Sequence, residues 1–167
     1  MILFMRLLHI VLGVFWAGTL VFTAFFLLPS IRDAGPEGAK VAQGLMRRQF
    51  LNIMPIVALL TIVSGFWLYW RMSGGFQSEY MGSPMGMAFG TGGVLAVLAF
   101  LLGVTIVRPS MMKAARLTQE AGAASPEDKP RLMGEAQTLR ARAGKAGNVV
   151  ALLLILTAAV MAVARYL

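Results

Sequence analysis

Residues 7–31 read LLHIVLGVFWAGTLVFTAFFLLPSI, a run without an acidic residue, a lysine or an arginine. As a helix rising ~1.5 Å per residue, a run of this length crosses ~30 Å of hydrocarbon. Three more charge-free runs follow, Gln49–Trp70, Tyr80–Val107 and Ala146–Ala164. The four fill more than half of the 167 residues, so no separate soluble catalytic domain fits elsewhere. The chain is 58% apolar and 13% charged, against roughly half and a quarter in soluble domains. The reading is all-α: an integral membrane four-helix bundle in one domain, with spans near 7–29, 50–71, 86–108 and 147–165. The connections are 30–49 and 109–146.

The basic residues give an orientation. Arg32, Lys40, Arg47 and Arg48 lie between the first two spans, and Arg108, Lys113, Arg116, Lys129, Arg131, Arg140, Arg142 and Lys145 lie between the last two. Only Arg6, Arg71 and Arg165 fall on the other side. Twelve against three puts both basic connections in the cytoplasm and both termini outside, in a bacterial-type inner membrane. The net charge of +8 is thereby explained by topology, and no nucleic-acid partner is expected. The first apolar core is longer than the ~7–15 residues of a signal peptide and no A-x-A site follows, so this span is read as retained.

Local signals refine the picture. Span 1 is expected to stop at Leu28-Pro29-Ser30, and the turn-rich Asp33–Gly38 to be largely non-helical. Lys40–Arg48 reads as a helix leading into span 2, where Pro55 removes one backbone bond. Ser125-Pro-Glu-Asp128 has capping-box form, starting a helix that runs through Arg142 into span 4. Its Leu132, Ala136 and Leu139 recur at helical spacing, a stripe expected at the cytoplasmic surface. No internal repeat is evident. Gly86-x-x-x-Gly90 in span 3 is small-residue spacing for close helix contact, a surface for a homodimer or for packing within one bundle.

Few residues carry chemistry. Cysteine is absent, which excludes disulfides, thiolate catalysis and iron–sulfur clusters. No span holds a carboxylate or lysine, which argues against a proton-coupled transporter with a charged midplane relay. Asn52, Thr61, Ser64, Thr105 and Thr157 read as interhelical hydrogen-bond groups. Arg108, before Pro109, reads as a positive-inside anchor, with an anionic cofactor as the less favoured role. His9 is the only histidine. It lies about one turn below the outer surface, and His9, Gly13 and Trp16 share a face at i, i+4, i+7. Gly13 leaves space there for a flat ligand or another helix; the plainer reading is an interfacial histidine bonded to a carbonyl or headgroup. Arg71, Met72, Met81, Met85 and Met87 gather at the outward ends of spans 2 and 3. Soft thioethers at Met81, Met85 and Met87 suit Cu(I), with His9 completing a copper site, while packing is the ordinary role of methionine.

Leu8-His9-x-x-x-Gly13-x-x-Trp16-x-Gly18-x-x-x-Phe22, with Leu28-Pro29 after it, resembles the first span of copper-resistance-D-like membrane proteins. It is also similar to HemJ-type protoporphyrinogen oxidases, and Thr61-Ile-Val-Ser-Gly65 resembles a second, weaker element of such families. The match covers about a quarter of the chain. The resemblance implies haem b held by the first-span histidine, here His9. With no other histidine, the iron is five-coordinate, takes a thioether such as that of Met85, or sits between two His9 residues of a homodimer. Arg71 would pair with a propionate or a lipid phosphate. Three functions follow: a haem-b redox protein that passes electrons to a partner protein or oxidises a porphyrin- or quinol-like substrate; a copper-binding or uptake protein; or an accessory subunit of a larger membrane complex.

Overall fold

The computed structural model describes residues 1–167, the side chain of Pro36 excepted. Eight α-helices account for most of the chain: α1 (Ile2–Phe22), α2 (Leu28–Asp33), α3 (Gly35–Arg47), α4 (Phe50–Met72), α5 (Ser78–Gly82), α6 (Pro84–Leu102), α7 (Arg108–Ala123) and α8 (Asp128–Val163). Among the described residues there is no strand.

Four helical stretches are long and apolar enough to cross a membrane: Ile2–Asp33, Phe50–Met72, Pro84–Ala123 and Asp128–Tyr166. They pack as a ring in which α1 touches α4 and α8, while α6 touches the same two from the far side. α1 and α6 therefore stand diagonally across the bundle. The centre is made mostly of small residues, Ala58, Ala96 and Ala99, filled out by Trp16, Val150 and Leu154. Large apolar side chains such as Ile10, Phe15, Ile56, Phe66, Leu101 and Ile155 point outward. The most apolar stretch of each span is only 11–28% buried. Small residues between helices with large apolar ones outside is the arrangement that lipid favours, because apolar burial drives nothing between helices there.

Spans 1 and 3 do not stop where the sequence suggests. Each passes through one π-helical turn, Thr23–Leu27 and Gly103–Val107, and resumes as α2 and α7. Each π turn comes directly before an x-Pro-Ser triplet, Leu28-Pro29-Ser30 and Arg108-Pro109-Ser110. Proline has no N–H for the carbonyl four residues back and its ring crowds that carbonyl, so the wider turn relieves both. The two odd-numbered spans thus share a device that two common residues, Pro-Ser, were too few to reveal as a repeat.

The connections are more helical than expected. The turn-rich Asp33–Gly38 contains the start of α3, with Gly35 at φ 55° making the corner. α3 ends at Arg47, and left-handed Gln49 (φ 59°) separates it from α4. The 109–146 connection is almost wholly an antiparallel hairpin, α7 against the first half of α8. Ser125 Oγ accepts from the Asp128 N–H at 3.2 Å, the cap its sequence form predicts. The Leu132/Ala136/Leu139 stripe packs on Ala114 and Leu117 of α7, so a helix rather than an interfacial surface covers it. At 40 residues, Pro84–Ala123 is about 60 Å long, twice the ~30 Å of a bilayer core. The hairpin is a stalk.

Candidate functional site

The seam between α1 and α4 brings together His9, Thr61 and Ser64. His9 Nδ1 lies 2.8 Å from the Thr61 carbonyl oxygen, with Ser64 Oγ 3.3 Å away as a second, longer contact. A carbonyl only accepts, so in this bond Nδ1 carries the proton and donates it. With Nδ1 as donor, the neutral form of the ring has its lone pair on Nε2. A backbone carbonyl fixing Nδ1–H is the usual support behind an imidazole that ligates metal through Nε2.

One glycine lets the imidazole enter the seam. At Gly65, a Cβ would stand 2.6 Å from His9 Cε1, so the ring rests on bare backbone. At Gly13, a Cβ would meet Thr61 Cγ2 at 3.5 Å, an ordinary contact with α4. Another helix fills the space that Gly13 opens. Trp16, 3% exposed, lies in the central cluster with Ala58, Ala96 and Leu154. The first-span pattern and Thr61–Gly65 are therefore brought together, and their small and hydroxyl residues are the contact itself.

The hydroxyls otherwise look inward to their own helices. Thr61, Thr105 and Thr157 donate to the carbonyls of Val57, Leu101 and Leu153, and Ser64 to those of Leu60 and Thr61. Of these four, only Ser64 also reaches across, to His9. Asn52 does bridge helices, its Oδ1 accepting from Arg108 at 2.8 Å.

Met81, Met85 and Met87 stand on other helices than His9. Met85 and Met87 are on α6, diagonal to α1, and Met81 is on the short α5 beside it. Met81 and Met87 are 42% and 54% exposed, outside the seam. Among the described residues no group of three or more histidine, cysteine or carboxylate side chains has metal-binding geometry. Arg71 lies at the far end of α4, its guanidinium 5.9 Å from the Trp70 ring centroid. Gly86 and Gly90 are occupied within the chain: the Tyr69 hydroxyl donates to the Gly86 carbonyl at 3.1 Å, and a Cβ at Gly90 would meet that hydroxyl at 3.4 Å. Gly86 is thus buried inside the chain, while Gly90 stays half-buried beside Tyr69.

One functional contact was not read from the sequence. Pro55 leaves the Leu51 carbonyl without its helical donor. Arg108 Nε supplies one from the other half of the molecule, at 3.1 Å. The signal available was a proline and an arginine at similar depth near the same ends of spans 2 and 3. No family model, curated protein or solved structure matches the chain.

Proposed function

We propose that this chain is an integral membrane haem-b protein with His9 as axial ligand through Nε2. The observation that carries the reading is the Nδ1–H bond to the Thr61 carbonyl. It holds the ring in one tautomer and one plane, which is what a haem ligand requires. The donor set fits one axial position: a single imidazole, raised on Gly65 and braced by Ser64. Haem, when bound, supplies one-electron chemistry, passing electrons to a partner protein or oxidising a porphyrin- or quinol-like substrate. The chain's own part is to orient the imidazole, keep Nδ1–H engaged and surround the seam with apolar side chains that lower the local dielectric. A substrate, or His9 of a second copy, would complete the site beside the single imidazole of this chain.

The proposed setting is a bacterial-type inner membrane with both termini outside. Twelve of fifteen basic residues fall in the two connections assigned to the cytoplasm. An impermeant thiol reagent is expected to label a cysteine at Ser78 in intact cells and not one at Ser125; the reverse pattern would overturn the orientation.

The deciding measurement is a visible spectrum of the detergent-purified chain made with haem supplied. A Soret band with α and β bands on reduction is expected, and His9→Ala is expected to remove them while four-helix content persists. A wild-type protein without Soret absorbance sinks the reading before any variant is made.

A further inference from the structure

The end of the bundle where α4 turns back through α5 into α6 holds a polar depression of about 430 Å3. Its lining includes Arg71, Ser73, Gln77, Glu79, Tyr80 and Ser83. That volume lies within the ~300–1,000 Å3 of small-molecule sites. Its floor is fixed by Ser73, 1% exposed, whose Oγ donates to the Trp70 carbonyl at 3.1 Å and accepts from the Phe76 N–H at 2.9 Å. Ser83 fixes the opposite wall by capping α6, its Oγ accepting from the Gly86 N–H at 3.1 Å.

The charges of this depression are in no internal ion pair, though the Arg71 guanidinium lies over the Trp70 ring. Among the described residues, the ion pairs are Lys40–Glu37, Lys113–Glu135, Arg116–Glu120 and Arg131–Asp128, and neither Arg71 nor Glu79 is in one. Yet Arg71 and Glu79 line the same cavity with opposite signs. The Tyr80 hydroxyl has no hydrogen-bond partner and is shielded from solvent. Burial first, and then the Tyr69 phenol, push it above the ordinary phenol range, so it remains a neutral donor. The other polar depression behaves differently. There Asn52 donates to Gln49 and accepts from Arg108, leaving little capacity for a ligand.

A cavity with only Arg71 would select an anion, and one with only Glu79 a cation. Both signs in one lining, with no ion pair between them among the described residues, select a molecule that carries both. We propose that this depression binds a zwitterion, its oxyanion on the Arg71 fork and its ammonium on the Glu79 carboxylate. A guanidinium takes phosphate or carboxylate oxygens in pairs, whereas an ammonium needs only a point acceptor. The ethanolamine-phosphate headgroup of a membrane lipid and a free phosphorylated amine share this chemistry. Its lining includes neither His9 nor Thr61, Ser64 or Gly65, and in this reading Arg71 serves the zwitterion.

The test uses the full chain in nanodiscs of equal phosphatidylethanolamine and phosphatidylglycerol, with bound lipid counted by native mass spectrometry. Retention of phosphatidylethanolamine over phosphatidylglycerol by about fivefold is expected, the scale of one exposed charge pair. Glu79→Gln should abolish or invert that preference, Glu79→Asp should keep it, and Arg71→Gln should lower retention of both lipids. Titration with free phosphoethanolamine against glycerol phosphate then separates the sources. Competition by the free amine marks a soluble ligand, and its failure beside lipid selectivity marks the headgroup. Equal retention of the two lipids by wild type with no preference between the free compounds, or an unchanged preference in Glu79→Gln, overturns the proposal.

Discussion

The molecule contains two helical hairpins, α1 with α4 and α6 with α8, and the difference between their seams locates the chemistry. In both, a large side chain from one helix sits on a bare glycine of the other. In the first hairpin His9 rests on Gly65; in the second, Met161 rests on Gly92, where a Cβ would meet its Cγ at 2.7 Å. Each seam also carries a threonine bonded back to its own helix at 2.8 Å, Thr61 four residues before the receiving Gly65 and Thr157 four residues before the inserted Met161. The first hairpin alone adds a hydrogen bond across its seam, from His9 to the Thr61 carbonyl. Among the described residues no side-chain hydrogen bond joins α6 to α8. A packing solution used twice is thus polarised once. The second seam shows what this arrangement needs for packing alone, so the imidazole and its carbonyl partner are the excess that points to function.

The largest expected effect comes from filling the two glycines. Gly65→Ala would drive a methyl into a ring that is held from the other side by hydrogen bonds, so the ring must leave the Thr61 carbonyl. A loss of roughly 1–3 kcal/mol is expected, typical of overpacking a fitted site. Gly92→Ala meets a thioether with three rotatable bonds, which moves aside for less than about 1 kcal/mol. Unfolding in mild detergent measures both, and the haem spectrum should fall with Gly65→Ala and not with Gly92→Ala. Equal costs and equal spectra would mean that the imidazole is packing material like Met161.

Much of this was legible in the sequence, and what was missed has a common cause. The four charge-free runs gave the spans, and the His9/Gly13/Trp16 face fell on the inner side of α1, with Trp16 in the core. Charge also marked 108–145 as non-membrane, but charge alone does not distinguish a loop from a stalk. The stalk required pairing Leu132, Ala136 and Leu139 with Ala114 and Leu117, two weak stripes that become legible only together. The glycines were read as space, because sequence spacing shows that a face is small but not what occupies it. Thr61 takes the place beside Gly13, and Tyr69 the place beside Gly90. Arg108 was read through its charge, whereas its position is set by a carbonyl orphaned by Pro55.

An intermediate effect is expected where the hairpins are tied together. Arg108, at the start of the stalk, bonds Leu51 and Asn52 at the start of α4. Arg108→Ala leaves the Leu51 carbonyl unsatisfied, a loss of about 1 kcal/mol, the low end for an acceptor that is only partly buried. Pro55→Ala restores the helical N–H to that carbonyl. In its background Arg108→Ala should therefore cost about 1 kcal/mol less, a coupling that a double-mutant cycle in detergent resolves. Strict additivity would show that Arg108 acts on Asn52 or the headgroup region and not on the carbonyl. The two hairpins would then be joined by packing alone.

The smallest effect belongs to the stalk, and it should touch only the second hairpin. Lys113 on α7 and Glu135 on α8 are 2.7 Å apart, with side chains 58% and 41% exposed. The hydrogen bond from Lys113, then its charge, and finally Arg131 hold the Glu135 carboxyl below its ordinary value of 4.5, against a small opposing desolvation. A carboxyl whose folded pKa is lowered contributes fully above its unfolded value, and the contribution is lost as pH falls through the folded one. Acidification below pH 4.5 should therefore loosen α7 from α8. Amide-exchange protection, corrected for intrinsic rates, should drop in Ala114–Ala121 while the α1/α4 seam stays protected. Because the pair is exposed, the change should be modest and should shrink further in high salt. Glu135→Gln should flatten the acid dependence at the stalk without altering protection near His9. If the seam and the stalk lost protection together over that range, the bundle would be opening as one unit, and the two hairpins would not be separable in stability.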